Sequence, residues 1–195
     1  MPIELKPFSW ERMIQAVEKV RERTLRAAGA LATADIPYAI AGGNAVAAWV
    51  ARIDATAVRN TRVVDILVRR DDFQRIKTAL ENVGFEYHRV MDVDCFIDGP
   101  GGSVREAIHL LYAGEKVKPE YATPSAEVTE AVPANDYVIV DLLPLVKMKL
   151  NSFRDKDRTH LRDMIELDIV DTSWLTKLHP QHATRLQQLL DDPNG

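Results

Sequence analysis

Apolar positions along this chain fall into two kinds of run, and their spacing predicts alternating helices and strands. Between residues 9 and 33, Trp10, Met13, Ile14, Val17, Val20 and Leu31 form a stripe at helical spacing among Glu, Lys and Arg, which predicts an amphipathic helix capped by Ser9. The charged residues between them read as a solvated face. Residues 38–41, Tyr-Ala-Ile-Ala, are a compact apolar run. Pro37 biases Ile36 away from helix, so a strand begins there. Gly42 and Gly43 free the backbone for a tight turn, and Asn44 can cap a helix over residues 45–53. Such a turn points backbone N–H groups outward at a helix N-terminus, which suits a phosphate. Trp49, within that helix, reads as core in preference to a base-stacking platform. Residues 63–68 form a second apolar strand in which Asp65 is the sole charge. Burying a lone carboxylate is costly, which places Asp65 at a strand end facing a cleft, a metal or a base.

Beyond this unit the pattern continues. Asp71 or Asp72 can cap a helix reaching Val83, with Phe73, Ile76, Leu80 and Val83 as its inner stripe and Gly84 as its stop; residues 85–90 return to the sheet. Asp92 and Asp94 stand two apart, so on a strand they share a face and could bind a metal. The other reading of the same acids is a charged edge strand ending in the Asp98–Gly102 turn. That turn is no P-loop, because no Gly-Lys-Ser/Thr follows it. Residues 104–113 carry His109 in an apolar run, and residues 114–136, with Pro119, Pro124 and Pro133, read as a long surface loop serving as lid, partner contact or crossing segment. Residues 137–140 suit a last strand, and Asp141 opens a helix over 142–153. The charged run 154–163 either continues that helix or restarts after a break near Ser152. If continuous, Lys147, Asn151, Arg154, Arg158 and Arg162 share one face; a solvated face with interleaved acids is the alternative. Residues 174–190 suit a packing helix with Leu186, Leu189 and Leu190 inward.

Composition narrows the function classes. A length of 195 residues suits one globular unit, divided here into a core over residues 1–136 and a helical C-terminal subdomain over 137–195. A net charge of −4 and a pI near 5.8 argue against a generally basic nucleic-acid binder, and no basic reading helix for sequence-specific DNA binding stands out. Cys95 is the lone cysteine, which excludes an internal disulfide and a multi-cysteine zinc site and fits a reducing cytoplasm. The N-terminal Met-Pro-Ile-Glu-Leu-Lys lacks the apolar stretch of a leader. No uncharged apolar run approaches the ~20 residues of a membrane span.

Gly-Gly, a helix, then Arg-x-Thr-x-x-x-Asp-hydrophobic-Leu-Val over residues 59–68 resembles the nucleotidyltransferase superfamily, the DNA polymerase beta-like fold, and within it the bacterial AbiEii-type and related branches. The resemblance covers residues 36–167 and implies an α+β fold, a mixed sheet flanked by helices with a helical C-terminal subdomain. In that family the second strand reads Thr-x-Asp-hydrophobic-Asp, and the paired carboxylates hold two Mg²⁺ ions. Here the motif is degenerate: Val63 stands at the first carboxylate position, Asp65 at the second, and His109 where a third carboxylate is common. Asp92 and Asp94 are the candidates to compensate, so the implied metal set is Asp65, Asp92, Asp94 and His109. Lys149-x-x-Ser152-x-Arg154-x-x-Asp157 is similar to the family's C-terminal Lys-x-x-Ala/Ser-x-Arg-x-x-Asp pattern. It implies that Lys149 contacts phosphates, Arg154 helps hold the cleft, and Asp157 braces these cations or takes part in proton transfer.

The implied site has Asp65, Lys149 and Asp157 as catalytic residues, with the nucleotide on Gly42, Gly43, Asn44, Lys149 and Arg154. The implied activity is transfer of a nucleoside monophosphate from a Mg²⁺-bound NTP to an acceptor hydroxyl on RNA or protein, as in a toxin–antitoxin system with a cognate antitoxin as partner. The alternative, which Val63 and His109 favour, is a catalytically degenerate member that binds a nucleotide or a protein partner without catalysis.

Overall fold

The chain folds as α1 (Trp10–Thr33), β1 (Tyr38–Ala41), α2 (Gly42–Ala51), β2 (Val64–Val68), α3 (Phe73–Glu81), β3 (Phe85–Val90), β4 (Val93–Asp98), β5 (Ile108–Tyr112), β6 (Ala131–Ala134), β7 (Tyr137–Val140), α4 (Leu142–Ser152), α5 (Asp155–Glu166) and α6 (Pro180–Asp191), with short 3-10 turns between. This computed structural model describes residue 7 and residues 9–192; the segment read above for a leader lies outside them. Among the described residues no helix is long and apolar enough to cross a membrane.

The strands make one mixed sheet in the order β3-β4-β5-β2-β1-β7-β6. β1 runs antiparallel to β2 and parallel to β7, and β2 runs parallel to β5. The apolar runs are buried because the central strands are covered: Ile40, Ile66, Leu67, Ile108 and Ile139 are fully enclosed. On one side, α3 packs Phe73 edge-on to Tyr87, with ring centroids 5.4 Å apart, and Arg26 of α1 lies 4.3 Å from the Phe85 ring centroid. Ala27 and Leu31 of α1 and Ile76 and Leu80 of α3 complete that layer.

Three expectations change, and one open alternative is decided. The stripe on α1 divides: Leu31 is buried, but Trp10, Met13, Ile14 and Val17 are exposed, since the sheet does not reach the first turns of the helix. Asn44 is not the cap of α2, which starts at Gly42; its side chain donates to the Val63 carbonyl at 2.8 Å instead, tying the turn to the entry of β2. The stretch 114–136 is not wholly a surface loop. It contains the edge strand β6, where Pro133 is tolerated, and it packs Ala126 and Val128 into the core. It is a crossing segment from β5 to the far edge of the sheet, held to α4 by Asn151, which donates to the Thr123 carbonyl at 2.8 Å. Of the two readings of 142–163, the break near Ser152 is the one observed. Phe153 adopts φ 47°, a left-handed residue that stops α4, and α5 restarts at Asp155. Residues Lys147 to Arg162 therefore share no single helical face.

β7 enters α4 through Asp141, whose carboxylate accepts from the Leu142 N–H at 2.7 Å. Because β7 lies beside β1, α4 is delivered next to the Gly42-Gly43 turn. α6 closes the C-terminal layer with Leu186 and Leu189 buried.

Candidate active site

The site starts from one close approach. Gly42 has φ +61°, and a Cβ added there would lie 1.9 Å from Asp65 Oδ2. β1 and β2 pair Ala41 with Asp65, so the carboxylate rises beside the turn and occupies the space that any side chain at 42 would need. Gly43 is nearly as confined: a Cβ there would meet Thr61 Cγ2 at 3.0 Å and His160 Cε1 at 3.3 Å. Side chains from β2, from the segment before it and from α5 thus converge on a glycine turn at the N-terminus of a ten-residue helix.

Register decides which acids join Asp65. β2 pairs Asp65 with His109, and β5 pairs His109 with Cys95. Directly paired residues face the same way, so Asp65, His109 and Cys95 lie on one face. His109 Nδ1 stands 3.7 Å from Asp65 Oδ1, too far for a hydrogen bond, and both side chains are partly exposed, at 28% and 24%. Asp94 is one residue from Cys95 and points to the opposite face. There it is buried and accepts hydrogen bonds from Tyr87 Oη at 2.7 Å and Tyr112 Oη at 2.6 Å. Both tyrosines are raised above their ordinary range, Tyr87 mainly by that hydrogen bond and Tyr112 mainly by burial. Asp92 sits at the β3–β4 hairpin with φ +62°, its side chain 95% exposed and paired with Arg89. The expectation that Asp92 and Asp94 share a face and stand in for lost metal ligands is therefore corrected: one lies in a turn, and the other is committed to two tyrosines behind the sheet.

The cationic side of the site comes from α4 and α5. Lys149 is buried and donates from Nζ to Asp157 Oδ1 at 3.0 Å. Asp157, fully buried, also accepts from Ser152 Oγ at 2.7 Å and Arg154 Nε at 2.8 Å, both to Oδ2. The left-handed Phe153 makes this possible by folding α5 back on α4. Burial alone would raise the Asp157 carboxyl. The hydrogen bond from Arg154, the charge of Lys149 and the Ser152 hydroxyl outweigh it and hold the group at about 2. Asp157 is thereby held in its charged form, with both oxygens accepting from these donors. Burial lowers the Lys149 pKa against the opposing pull of Asp157. Asp65 lies close enough for its charge to raise the pKa of both Lys149 and Arg154. Arg154 is mostly exposed, so its guanidinium opens toward solvent while its Nε stays on Asp157.

His160 was not singled out in the sequence. Its signal was position: three residues after Asp157 on α5, hence on the same helical face. Burial first, then the Lys149 charge, push it down to about 4, so it is neutral near pH 7. Its Nδ1 is buried without a hydrogen-bond partner, and its Cε1 edge backs Gly43.

The donor set bears on Mg²⁺. Among the described residues no three His, Cys, Asp or Glu side chains come together as a metal-binding group. Mg²⁺ prefers oxygen ligands and is commonly held by one or two carboxylates together with substrate phosphates. Asp65, partly exposed and accepting no hydrogen bond from the described residues, fits such a shared site; among them a closed protein-only cage does not fit.

No protein-family model matches the chain, and no curated protein matches it in sequence. Solved structures do match in shape. A nucleotidyltransferase-like protein from Paracoccidioides brasiliensis is similar with a TM-score of 0.57 and 18% identity, covering 91% of this chain and 90% of that one. The antibiotic-resistance factor ANT(2″)-Ia is similar in its solution structure, with a TM-score of 0.55, 15% identity and coverage of 88% and 91%. Its crystal structure in complex with adenylyl-2″-tobramycin matches with a TM-score of 0.53, 14% identity and coverage of 91% and 99%. At these identities the likeness establishes architecture: this chain has the nucleotidyltransferase fold.

Proposed function

We propose that the protein is a nucleotidyltransferase that moves a nucleoside monophosphate from a Mg²⁺-bound NTP to an acceptor hydroxyl. The observation that carries this reading is the fit of Asp65 into the side-chain space of Gly42, with Lys149 and Arg154 in electrostatic reach of the same carboxylate. The turn offers helix N-terminal N–H groups to the triphosphate. Lys149, fixed by Asp157, supplies a positioned positive charge, and Arg154 presents its outer guanidinium nitrogens at the mouth. Asp65 would hold Mg²⁺ jointly with the phosphates, and the ion when bound would neutralise charge developing on the leaving pyrophosphate. The acceptor oxygen attacks the α-phosphorus in line. A new P–O bond forms as the bond to the bridging α–β oxygen breaks, and pyrophosphate departs with that electron pair. His109, beside Asp65 and partly exposed, would take the hydroxyl proton, a task that suits an imidazole better than Mg²⁺ ligation does. The neighbour solved with an adenylyl conjugate supports a nucleotidyl group as what is transferred. We extend the proposal to a reducing cytoplasmic setting, where Cys95 stays a buried thiol, and to an RNA or protein acceptor within a toxin–antitoxin pair.

A second reading rests on Val63. The position two before Asp65 carries no carboxylate, so the fold would bind nucleotide or a protein partner without turning over. Calorimetry with the four NTPs and Mg²⁺, followed by a pyrophosphate-release assay, separates the two. Binding in the micromolar-to-millimolar range, on the order of −4 to −8 kcal/mol, is expected with transfer and with the nucleotide-binding form of the second reading. Pyrophosphate release supports transfer, and binding without release supports the second reading. No heat at millimolar nucleotide rejects transfer and the nucleotide-binding form of the second reading, leaving a scaffold for a protein partner.

A further inference from the structure

The exposed start of α1 does not end in open surface. Trp10, Met13, Val17, Val20, Thr24, Ala27 and Leu31 keep a three-four spacing along the helix, and the later members bury against the sheet. The earlier ones lead into a cavity of about 660 Å³ between α1, α2, residues 59–62 and the β6–β7 hairpin. Val17 and Val20 form one wall, Ala47, Ala48 and Ala51 form a small-residue floor on α2, and Pro133 closes the far side. Met13, Ile14 and Val17 are 52%, 67% and 41% exposed, so a contiguous apolar strip runs from helix surface into groove.

Charge says what covers it. The chain has 29 acidic residues against 25 basic ones, yet among the described residues the groove is lined by Arg21, Arg52, Arg59 and Arg62 and by no Asp or Glu, with Asp136 of the β6–β7 hairpin acting on Arg21 from its edge. Two of these cations are balanced from outside the groove, Arg21 by Glu18 and Arg59 by Asp163. Arg52 stacks on Trp49 and donates to the Pro133 carbonyl, so it meets no carboxylate there, and Arg62 stands exposed at the rim. An apolar floor with an arginine rim complements an amphipathic helix whose flanks are acidic.

We propose that this groove is a docking site for a protein partner presenting an acidic amphipathic helix. The proposal does not require nucleotide transfer: Asn44 and Thr61, which flank the glycine turn, line one end of the groove, but the residues that would hold the partner are Met13, Val17, Arg52, Arg62 and the α2 alanines. The partner's apolar face lies along Met13, Val17 and the α2 alanines, and its carboxylates reach Arg52 and Arg62. The test uses a labelled helical peptide with leucines on one face and glutamates on both flanks, and an isomer with lysine in place of each glutamate, read by fluorescence anisotropy. The glutamate peptide is expected to bind, and the lysine isomer to bind at least ~10-fold more weakly. Val17→Glu and Arg62→Glu should each weaken the glutamate peptide by a similar factor. Both are surface positions, and Met13→Glu provides a third variant if either alters the melting curve. Equal affinity for the two isomers, no binding, or tighter binding of a single-stranded RNA oligonucleotide would overturn the proposal. So would concentration-dependent self-association abolished by Met13→Glu, which would give the face to a second copy of this chain.

Discussion

Replacing Asp157 with Ala is expected to destabilise the protein by roughly 3–5 kcal/mol, a loss that unfolds many single domains. The side chain is 1% exposed and accepts from Lys149, Ser152 and Arg154, so its removal leaves the Lys149 ammonium, itself 6% exposed, without its hydrogen-bonded counter-charge and with only the charge of Asp65 acting on it. Urea denaturation of the purified variant measures the change. A double variant, Lys149→Met with Asp157→Leu, removes both charges and should recover most of the stability, because a buried pair contributes little beyond an apolar replacement. That double variant should fold and still fail to bind NTP, which separates the structural use of Asp157 from the phosphate-binding use of Lys149. A single-variant loss below about 1 kcal/mol would mean that the pair behaves as a solvent-screened one.

The second large effect belongs to Gly42. Gly42→Ala places a methyl 1.9 Å from Asp65 Oδ2 and forces an L-residue to φ +61°. The backbone strain costs about 1–2 kcal/mol, and the carboxylate must move. Displacement of a reacting group by about 1 Å can cost on the order of 100-fold in rate, and a drop of that size in pyrophosphate release is expected. Gly84→Ala is the control. Gly84 has φ +91° with nothing within 4 Å of an added Cβ, so it carries the strain without the collision. Lower melting temperatures in both variants with activity lost only in Gly42→Ala would locate the effect at Asp65. Equal loss of activity in both would assign it to strain alone.

Much of this architecture was legible because period and punctuation agree. Residues 38–41, Gly42-Gly43 and the apolar run ending at Val68 specify strand, turn and strand by themselves, and the positions of Asp65 and the turn follow from them. What was not legible depended on register between distant strands. Asp92 and Asp94 have the spacing of a metal pair, but a hairpin turn takes one and the pairing of Cys95 with His109 sends the other behind the sheet. β6 hid behind Pro133, which local propensity reads as loop and an edge strand tolerates. The Asp157 brace depends on a left-handed Phe153, a residue with no intrinsic taste for that conformation; tertiary contacts of α4 and α5 impose it. Likewise the stripe of α1 told truly that one face is apolar, but not where the sheet beneath it stops.

The central claim is that Asp65 joins the Gly42 turn and Lys149 in one Mg²⁺-dependent nucleotide site. Its most direct test is the affinity for NTP measured with and without Mg²⁺, in the native protein and in Asp65→Asn. Mg²⁺ is expected to tighten binding by ~10-fold or more in the native protein, in line with the roughly 10–100-fold effects seen when a metal site loses even a supporting group. In Asp65→Asn that gain should vanish while the Mg²⁺-free affinity, set by Lys149 and the turn, stays within about twofold of the native value. The same Mg²⁺ enhancement in both proteins would contradict the account, because Asp65 would then have no part in holding the metal–nucleotide complex.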